Sequence, residues 1–250
     1  MAAKQNNISI NSIKDESRRY KSTWGQRAWF ACGCATLLIS IAKSTLLIIA
    51  ASPVGPLTWV ELTLAALIGY VAADLGSGIF HWAIDNYGGA ETPIFGSQIE
   101  SFRAHHQHPA DIIKCDTAGV LYVVSAATAF AVLPFNVLSG DAVLLVLVGS
   151  FAGFVMFSLK FHAWAHTPRR RLPRVVAALQ DAGVILPWSN HVKHHRPPFD
   201  GYFCTVSGVW NRVLDEYKFF SAAEAVVLRV TGVRPRSWSE PGSDWSQVSD

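Results

Sequence analysis

The stretch Ser189-Asn190-His191-Val192-Lys193-His194-His195-Arg196 places three histidines within five residues. On a helix, residues three and four positions apart share one face, so the three imidazoles can point at one place. Neutral imidazole is the commonest metal ligand among side chains. The stretch therefore predicts part of a metal site, which needs further ligands from elsewhere in the chain.

Further candidate ligands occur in pairs with helical spacing. All nine histidines of the chain lie between residues 81 and 195. His81 and Asp85 stand four residues apart, and so do His162 and His166. Residues four apart lie one above the other on a helix surface. Each pair therefore presents two ligands to one place.

His105 and His106 form an adjacent pair, whereas His108 precedes Pro109, is out of step with that pair and is predicted not to be a ligand. The candidate ligands are His81, Asp85, His105, His106, His162, His166, His191, His194 and His195. One zinc site takes about four ligands, so nine candidates suit two metals better than one. Imidazole with carboxylate suits iron among other transition metals, and two irons that activate O₂ are the predicted chemistry.

Four apolar stretches of membrane-spanning length surround these motifs. Half of the 250 residues are hydrophobic and only 16% are charged, which is too apolar for an ordinary soluble domain. A transmembrane helix needs about 20 predominantly apolar residues. The predicted spans are 28–50, 58–80, 117–138 and 141–161. The fold class is therefore predicted as an all-α membrane protein with four transmembrane helices.

The basic residues predict the orientation of the spans. Among the 21 Lys and Arg residues, only Lys43 and Lys160 lie within or at the edge of a predicted span, and the two short loops at 51–57 and 139–140 contain none. The face that carries the N-terminus is therefore cytosolic or its equivalent. Every histidine lies at that face or beyond it, although histidine played no part in assigning the orientation. Lys43 lies close enough to the opposite end of its span to snorkel.

Charge and cysteine content exclude other classes of site. The net charge of +3 is small and the basic residues form no dense patch, so no nucleic-acid partner is expected. The four cysteines include no Cys-x-x-Cys pair, which argues against a zinc ribbon or a thioredoxin-like motif.

Asp74 lies within the second predicted span, seven residues before His81 and about 10 Å deeper in the membrane. An acid inside a membrane is a candidate functional residue. It either hydrogen-bonds to a histidine and orients it, lines a substrate channel, or joins two helices by a hydrogen bond. The basic residues Arg169, Arg170, Arg171 and Arg174 are a weak candidate for a lipid-headgroup site, and the alternative is a positive-inside anchor.

The expected organisation has four parts. Residues 1–27 form a polar tail that is either a targeting segment or a solvated extension, and residues 28–166 hold the four spans and the first histidine motifs. Residues 167–241 form a mostly helical C-terminal cap, and residues 242–250 form a disordered tail. Within the cap, Ser221-Ala222-Ala223-Glu224 is a capping-box pattern that predicts the start of a helix running towards Gly232.

Several strings resemble one family closely, the plant fatty acid desaturase 4 family, within the wider plasmanylethanolamine desaturase, CarF and Kua group of membrane di-iron enzymes. The strings are His81-Trp82-Ala83-Ile84-Asp85-Asn86-Tyr87-Gly88, Phe161-His162-Ala163-Trp164-Ala165-His166, Ala178-Leu179-Gln180-Asp181, Val206-Ser207-Gly208-Val209-Trp210-Asn211 and Val233-Arg234-Pro235-Arg236-Ser237-Trp238-Ser239-Glu240-Pro241. The resemblance runs from about residue 22 to residue 241. The stretch 107–119 departs from the family pattern, which leaves the acyl position and the headgroup preference open.

The resemblance implies an oxidoreductase with a di-iron centre and O₂ as co-substrate. The implied reaction introduces a trans double bond near the carboxyl end of palmitate on phosphatidylglycerol in a chloroplast membrane. By matching motif, it also implies the same nine ligands. The chain carries no flavin, haem or ferredoxin domain of its own, so electrons are expected from ferredoxin in a plastid or from cytochrome b5 in the endoplasmic reticulum. The alternatives are an ether-lipid desaturase, a lipid hydroxylase and, more remotely, a non-enzymatic haem or metal membrane protein.

Overall fold

The architecture is seen in a computed structural model, which describes residues 20–239. Most of the predicted N-terminal tail and the whole predicted tail at 242–250 lie outside the described residues. The described part of the chain consists of helices and connecting loops and contains no strand. The predicted all-α class is confirmed.

Four helices are long and apolar enough to cross a membrane, and they are α1 (Trp24–Ala50), α2 (Pro56–Asn86), α4 (Thr117–Leu138) and α5 (Ala142–His166). The four predicted spans are therefore confirmed, but α2 and α5 continue beyond the predicted ends at residues 80 and 161. The polar last turns of these two helices are covered by protein, so the helix continues where the apolar pattern stops. Helix α3 (Gly96–Gln107) lies in the loop between α2 and α4.

The C-terminal part is a cap of short helices, as predicted. It contains α6 (Arg174–Asp181), α7 (Trp188–His194), α8 (Asn211–Glu216), α9 (Phe219–Thr231) and α10 (Arg236–Ser239). Short 3₁₀ helices at Pro109–Ile113 and Arg169–Arg171 precede α4 and α6.

Small residues allow the membrane helices to approach closely. A Cβ atom on Gly69 of α2 would lie 2.8 Å from the carbonyl oxygen of Leu147 on α5. A Cβ atom on Gly33 of α1 would lie 2.8 Å from the Cβ of Ser125 on α4. Close backbone approach at small residues is how membrane helices gain packing energy without a hydrophobic driving force. The bundle therefore consists of the tightly packed pairs α2 with α5 and α1 with α4.

Lys43 does not simply snorkel to the membrane surface. Its Nζ donates to the main-chain oxygen of Asn136, at 2.7 Å, in the last turn of α4. The last carbonyls of a helix lack intrahelical partners, and a cation there is favourable. The Asn136 side chain in turn accepts from Ser40 at 2.7 Å and donates to the Thr36 carbonyl at 2.9 Å. This polar contact joins α1 to α4 inside the bundle.

The predicted capping box at Ser221 is wrong in its position. Helix α9 begins at Phe219, so Ser221 already lies inside the helix, while its end at Gly232 agrees with the prediction. Glu224 is buried, and its carboxylate accepts from the indole N–H of Trp82 at 3.3 Å and of Trp238 at 2.8 Å. A buried indole N–H requires an acceptor, and here Glu224 supplies it instead of capping the helix. Glu224 therefore links α9 and α10 to α2 by hydrogen bonds.

The cap packs on α2 through an aromatic cluster in which Trp82 contacts buried side chains that include Phe203, Cys204 and Phe220. The approach is closest at Gly78, where an added Cβ would lie 2.4 Å from the Cys204 sulfur. Because Gly78 has no side chain, the loop that carries Cys204 rests directly on α2. This contact places the cap over the polar end of the bundle.

Candidate metal centre

The structure brings the nine candidate ligands together in two groups. Within each group the potential ligand atoms all lie within 4.8 Å of one another. The five-histidine group consists of His105, His162, His166, His191 and His195, and the mixed group consists of His81, Asp85, His106 and His194. His108 is exposed at the end of α3 and belongs to neither group.

The five-histidine group converges through its Nε2 atoms. The Nε2 of His105 lies 2.9 Å from that of His162 and 3.0 Å from that of His166. The Nε2 of His191 lies 2.8 Å from that of His166 and 3.0 Å from that of His195. Five ring nitrogens, which come from α3, α5 and the end of α7, therefore surround one point.

Hydrogen bonding among the rings does not account for these contacts. A neutral imidazole carries a single N–H, yet His105 and His191 each present one Nε2 to two other ring nitrogens. The buried Nδ1 atoms of His105, His162 and His191 have no hydrogen-bond partner among the described residues. Neighbouring ligands around a metal with bonds of about 2.1 Å lie roughly 3 Å apart. The donor set and its spacing thus fit a bound transition-metal ion.

The mixed group is arranged around a carboxylate. The Asp85 Oδ2 lies 3.3 Å from the Nε2 of His81, 3.2 Å from that of His106 and 3.3 Å from that of His194. The three imidazoles are buried, and Asp85 comes from the same helix as His81. Three nitrogens and one oxygen at these separations also fit a metal ion, with a donor set that suits iron.

Two histidines of the mixed group are oriented by main-chain oxygens. The Nδ1 of His81 donates to the Phe203 carbonyl at 2.9 Å, and the Nδ1 of His194 donates to the Gly201 carbonyl at 2.9 Å. Such a bond places the proton on Nδ1 and directs the Nε2 lone pair at the metal position. Both carbonyls belong to one cap loop, so the cap determines which ring nitrogen can bind metal.

The histidines of the five-histidine group that lie outside the membrane helices are held in the neutral form. Burial, followed by the neighbouring histidines, lowers the pKa of His105, His191 and His195 well below the usual 6.5. A protonated ring has no lone pair for a metal, so a low pKa keeps these nitrogens available at neutral pH.

The structure corrects the expectation that the three histidines of the opening stretch point at one place. His191 and His195 lie in the five-histidine group, whereas His194 lies in the mixed group. Consecutive residues on a helix are separated by about 100°. Because of that rotation, the neighbours His194 and His195 diverge towards two adjacent positions. The same rotation separates His105 from His106 on α3, so α3 and α7 each contribute to both groups.

Asp74 contacts the cap loop and no histidine. Its carboxylate is fully buried, and Oδ1 accepts main-chain N–H groups from Val206, Ser207 and Gly208 at 3.1, 2.8 and 2.9 Å. Its Oδ2 accepts the N–H of Trp210 at 3.3 Å. Charge-assisted hydrogen bonds of this kind are stronger than neutral ones. Asp74 therefore anchors the loop whose Phe203 carbonyl orients His81.

Two other residues that hold the cap loop by hydrogen bonds were not recognised from the sequence. Ser77 accepts the N–H of Thr205 at 2.9 Å, and Asn211 accepts the N–H of Cys204 at 2.8 Å. A sequence signal was present, because Asp74, Ser77 and His81 lie three and four residues apart within an apolar helix. Such a polar stripe indicates a helix face that is covered by protein.

The four arginines of the weak headgroup candidate follow the candidate ligand His166 closely in sequence, where the chain enters the cap. All four are exposed, and Arg169 forms a bidentate ion pair with Asp181, with the closer contact at 2.6 Å. The headgroup site at Arg169, Arg170, Arg171 and Arg174 remains a prediction.

Comparisons with known proteins agree with the site. A family model described as a lipid desaturase domain matches residues 70–238, a range that contains all nine candidate ligands. The chain is 46% identical to fatty acid desaturase 4, chloroplastic, of Arabidopsis thaliana over 228 residues, which cover 91% of this chain and 69% of the relative. It is 43% identical to fatty acid desaturase 4-like 1, chloroplastic, of the same plant, over 95% of this chain and 79% of the relative.

A more distant relative is the plasmanylethanolamine desaturase of Myxococcus xanthus. It is 36% identical over 187 residues, which cover 72% of this chain and 64% of the relative. No solved protein structure matches the chain.

Proposed function

Since this chain belongs to the lipid desaturase family, we propose that it is a di-iron, O₂-dependent desaturase of fatty acyl chains in membrane lipids. The observation that carries the proposal is the pair of adjacent ligand groups at one end of the membrane helices. Two metal positions built from histidine and one carboxylate are suited to iron. Their place at the polar end of the bundle allows a membrane lipid to present its acyl chain.

The atoms and electrons of the proposed reaction balance. Two adjacent CH₂ groups lose one hydrogen each and become an alkene, and O₂ takes up these hydrogens together with two electrons and two protons to form two water molecules. Two irons, when bound, supply the oxidising power for an unactivated C–H bond. The two electrons are proposed to come from a separate donor protein.

The residues of the chain supply geometry and a dry environment. The five-histidine group and the mixed group would hold one ion each, and the Phe203 and Gly201 carbonyls accept the Nδ1 protons of His81 and His194 and leave the Nε2 atoms free to bind metal. His162, His191 and His194 are buried, so bound metal ions would lie in surroundings with little water.

For the substrate, we propose palmitate esterified on phosphatidylglycerol, with a trans double bond near the carboxyl end. The support is the resemblance to the fatty acid desaturase 4 family together with the position of both ligand groups near the membrane boundary, where the ester of a lipid lies. Because the Arabidopsis relatives are named chloroplastic, we propose a chloroplast membrane and ferredoxin as the electron donor. The endoplasmic reticulum with cytochrome b5 is the alternative.

A second candidate is an ether-lipid desaturase. The observation that favours it is the 36% identity to a protein named plasmanylethanolamine desaturase. Both activities need the same two metal positions, and they differ in the linkage that joins the chain to glycerol. A lipid hydroxylase needs the same positions as well.

Expression in a host that lacks such enzymes tests the proposal directly. Lipids are extracted and analysed by mass spectrometry with localisation of the double bond. We expect a new trans-unsaturated palmitate on phosphatidylglycerol when the host also supplies ferredoxin. A new vinyl ether would support the second candidate, and a new hydroxyl group would support a hydroxylase. Lipids that remain unchanged although the protein carries iron would count against all three activities.

A further inference from the structure

A cavity of about 390 Å³ leads to the five-histidine group from the side opposite the cap. It lies between α3, the 3₁₀ helix Pro109–Ile113 and the first turns of α4, and its wall includes His105 and His162. This volume is within the range of small-ligand pockets. A molecule inside the cavity would therefore contact the five-histidine group directly.

The wall of this cavity changes from polar to apolar. On α3 its polar residues are Ser97, Ser101 and His105, which are spaced four residues apart and therefore share one face of the helix, with Gln98 beside them. His108 and Asp111, which follow α3, add further polar groups to the wall. Its apolar side includes Phe102 together with residues of the membrane helices, namely Val120 and Leu159. The cavity thus matches a molecule with a polar end and an apolar chain.

The polar side chains on α3 are available to a ligand. Among the described residues, Ser97, Gln98 and Ser101 make no side-chain hydrogen bond to the protein. An amide NH₂ and a serine hydroxyl can both donate to a carbonyl or ether oxygen. Ser101 precedes His105 by one helical turn, about 6 Å along the axis, which corresponds to a few C–C bonds.

A second cavity, among the membrane helices, differs from the first in its lining. The groove of about 550 Å³ between α1, α2 and α5 is lined mainly by apolar side chains, which include Leu37 and Phe154. None of the nine candidate ligands lines this groove. Its apolar lining suits contact with lipid tails, and the groove does not reach the candidate ligands.

We propose that the cavity beside α3 binds the ester end of the lipid substrate, with Gln98 and Ser101 donating hydrogen bonds to the ester oxygens. This inference rests on the proposed desaturase function. Gln98 and Ser101 would then determine which carbons of the acyl chain are desaturated. An ester held one turn from His105 places only the carbons next to the ester beside the five-histidine group. The double bond then forms close to the carboxyl end.

The first test uses Gln98→Leu and Ser101→Leu in the host-expression assay, with Glu100→Leu as the matched control. Glu100 is exposed on the same helix and does not line the cavity. We expect each cavity variant to retain two irons per chain and to lose desaturated product about tenfold, or to move the double bond, because a hydrogen bond that fixes the ester is gone. Product of unchanged amount and position in both iron-loaded variants would overturn the assignment.

A second test does not depend on activity. The purified iron-loaded protein is mixed with a phosphatidylglycerol whose palmitoyl chain carries a photoreactive diazirine beside the ester, and the cross-linked residues are mapped by mass spectrometry. Cross-links on α3 and around Val120 support the cavity even if the wild type forms no alkene, in which case only the proposed function fails. Cross-links confined to Leu37 and Phe154 in the groove overturn the cavity assignment whatever the activity.

Discussion

His105 and His106 are neighbours in the sequence but lie in different ligand groups, and so do His194 and His195. The backbone turns by about 100° between consecutive helical residues, so an adjacent pair can bind two metals but cannot easily bind one. The adjacent histidines therefore place the two ligand groups side by side. The need for two adjacent ligand groups explains why the chain contains two His-His pairs among its nine histidines.

At the residue scale, His194→Ala should remove the metal of the mixed group, because His194 is buried there and no other imidazole is positioned to replace it. We expect iron content to fall from two per chain to about one and desaturation to fall below detection. His108→Ala is the control for iron content only, since this exposed histidine lies outside both ligand groups. Iron is measured by mass spectrometry of the purified protein, and wild-type lipid profiles in His194→Ala would contradict the assignment.

The pH dependence of the metal-free protein should follow the buried histidines. The pKa of His105, His191 and His195 is lowered from 6.5 in the folded state, so the unfolded chain binds more protons below that pH. The free energy of unfolding is then constant above about pH 6.5 and falls as the pH decreases towards the folded-state pKa values. Each histidine contributes a slope of about 1.4 kcal/mol per pH unit in that window.

The measurement for this prediction is the thermal unfolding midpoint of metal-free protein in detergent between about pH 8 and pH 5. His195→Asn should show a shallower loss of the midpoint below pH 6.5 than the wild type. A midpoint that rises on acidification would show that the histidines are not held neutral by burial.

At the scale of elements, the cap and the membrane bundle meet along one face of α2. Asp74, Ser77 and His81 form that face, and the loop that begins at Phe203 covers it through main-chain hydrogen bonds. Main-chain groups of a buried loop need partners, and the polar stripe on α2 supplies them. The helix therefore positions ligands directly through His81 and indirectly through the loop.

Two glycines on α2 provide a matched test of this contact. Gly78→Ala should destabilise the protein by about 1–3 kcal/mol, because the new methyl group would lie 2.4 Å from the Cys204 sulfur and would push the loop outward. Gly76→Ala places its methyl group 3.6 Å from the Phe151 ring, an ordinary contact, and alanine favours the helix. We expect a lower unfolding midpoint and less iron only in Gly78→Ala, and equal effects in the two variants would argue against the close approach.

At the scale of the whole molecule, the four spans place both ligand groups and the cap at one membrane face. The chain crosses the membrane an even number of times between residue 24 and the cap, so the N-terminal face also carries α3 and α7. Positive residues lie on that face, which fits the positive-inside rule. A separate electron donor, as proposed above, would then approach from the face that carries the N-terminus.

Single-cysteine variants in a background without the native cysteines test this topology. A cysteine at Gly55 or Gly140 should react with an impermeant maleimide from one side of sealed vesicles, and a cysteine at His108 or Arg170 from the other. The four positions lie in four different connections between helices, so they report independently. Labelling of Gly140→Cys and Arg170→Cys from the same side would refute the arrangement of four spans.

The sequence by itself determined the spans, the membrane face of the histidines and the identity of the candidate ligands. These follow from hydropathy, from the distribution of charge and from the period of 3.6 residues, and each of these is a local property of the chain. The helix ends at residues 86 and 166 were missed because the last turns of α2 and α5 are polar and are stabilised by distant parts of the chain.

Only the tertiary structure decided how the candidate ligands divide into two groups, why Asp74 is buried and which cavity reaches the five-histidine group. The division depends on the rotation of α3 and α7 against the ends of α2 and α5, which no local pattern specifies. The partners of Asp74 at residues 206–210 lie more than a hundred residues away in sequence. Contacts of that range form only when the cap closes on the bundle, so they follow from the packing of helices and loops and not from the sequence of any one of them.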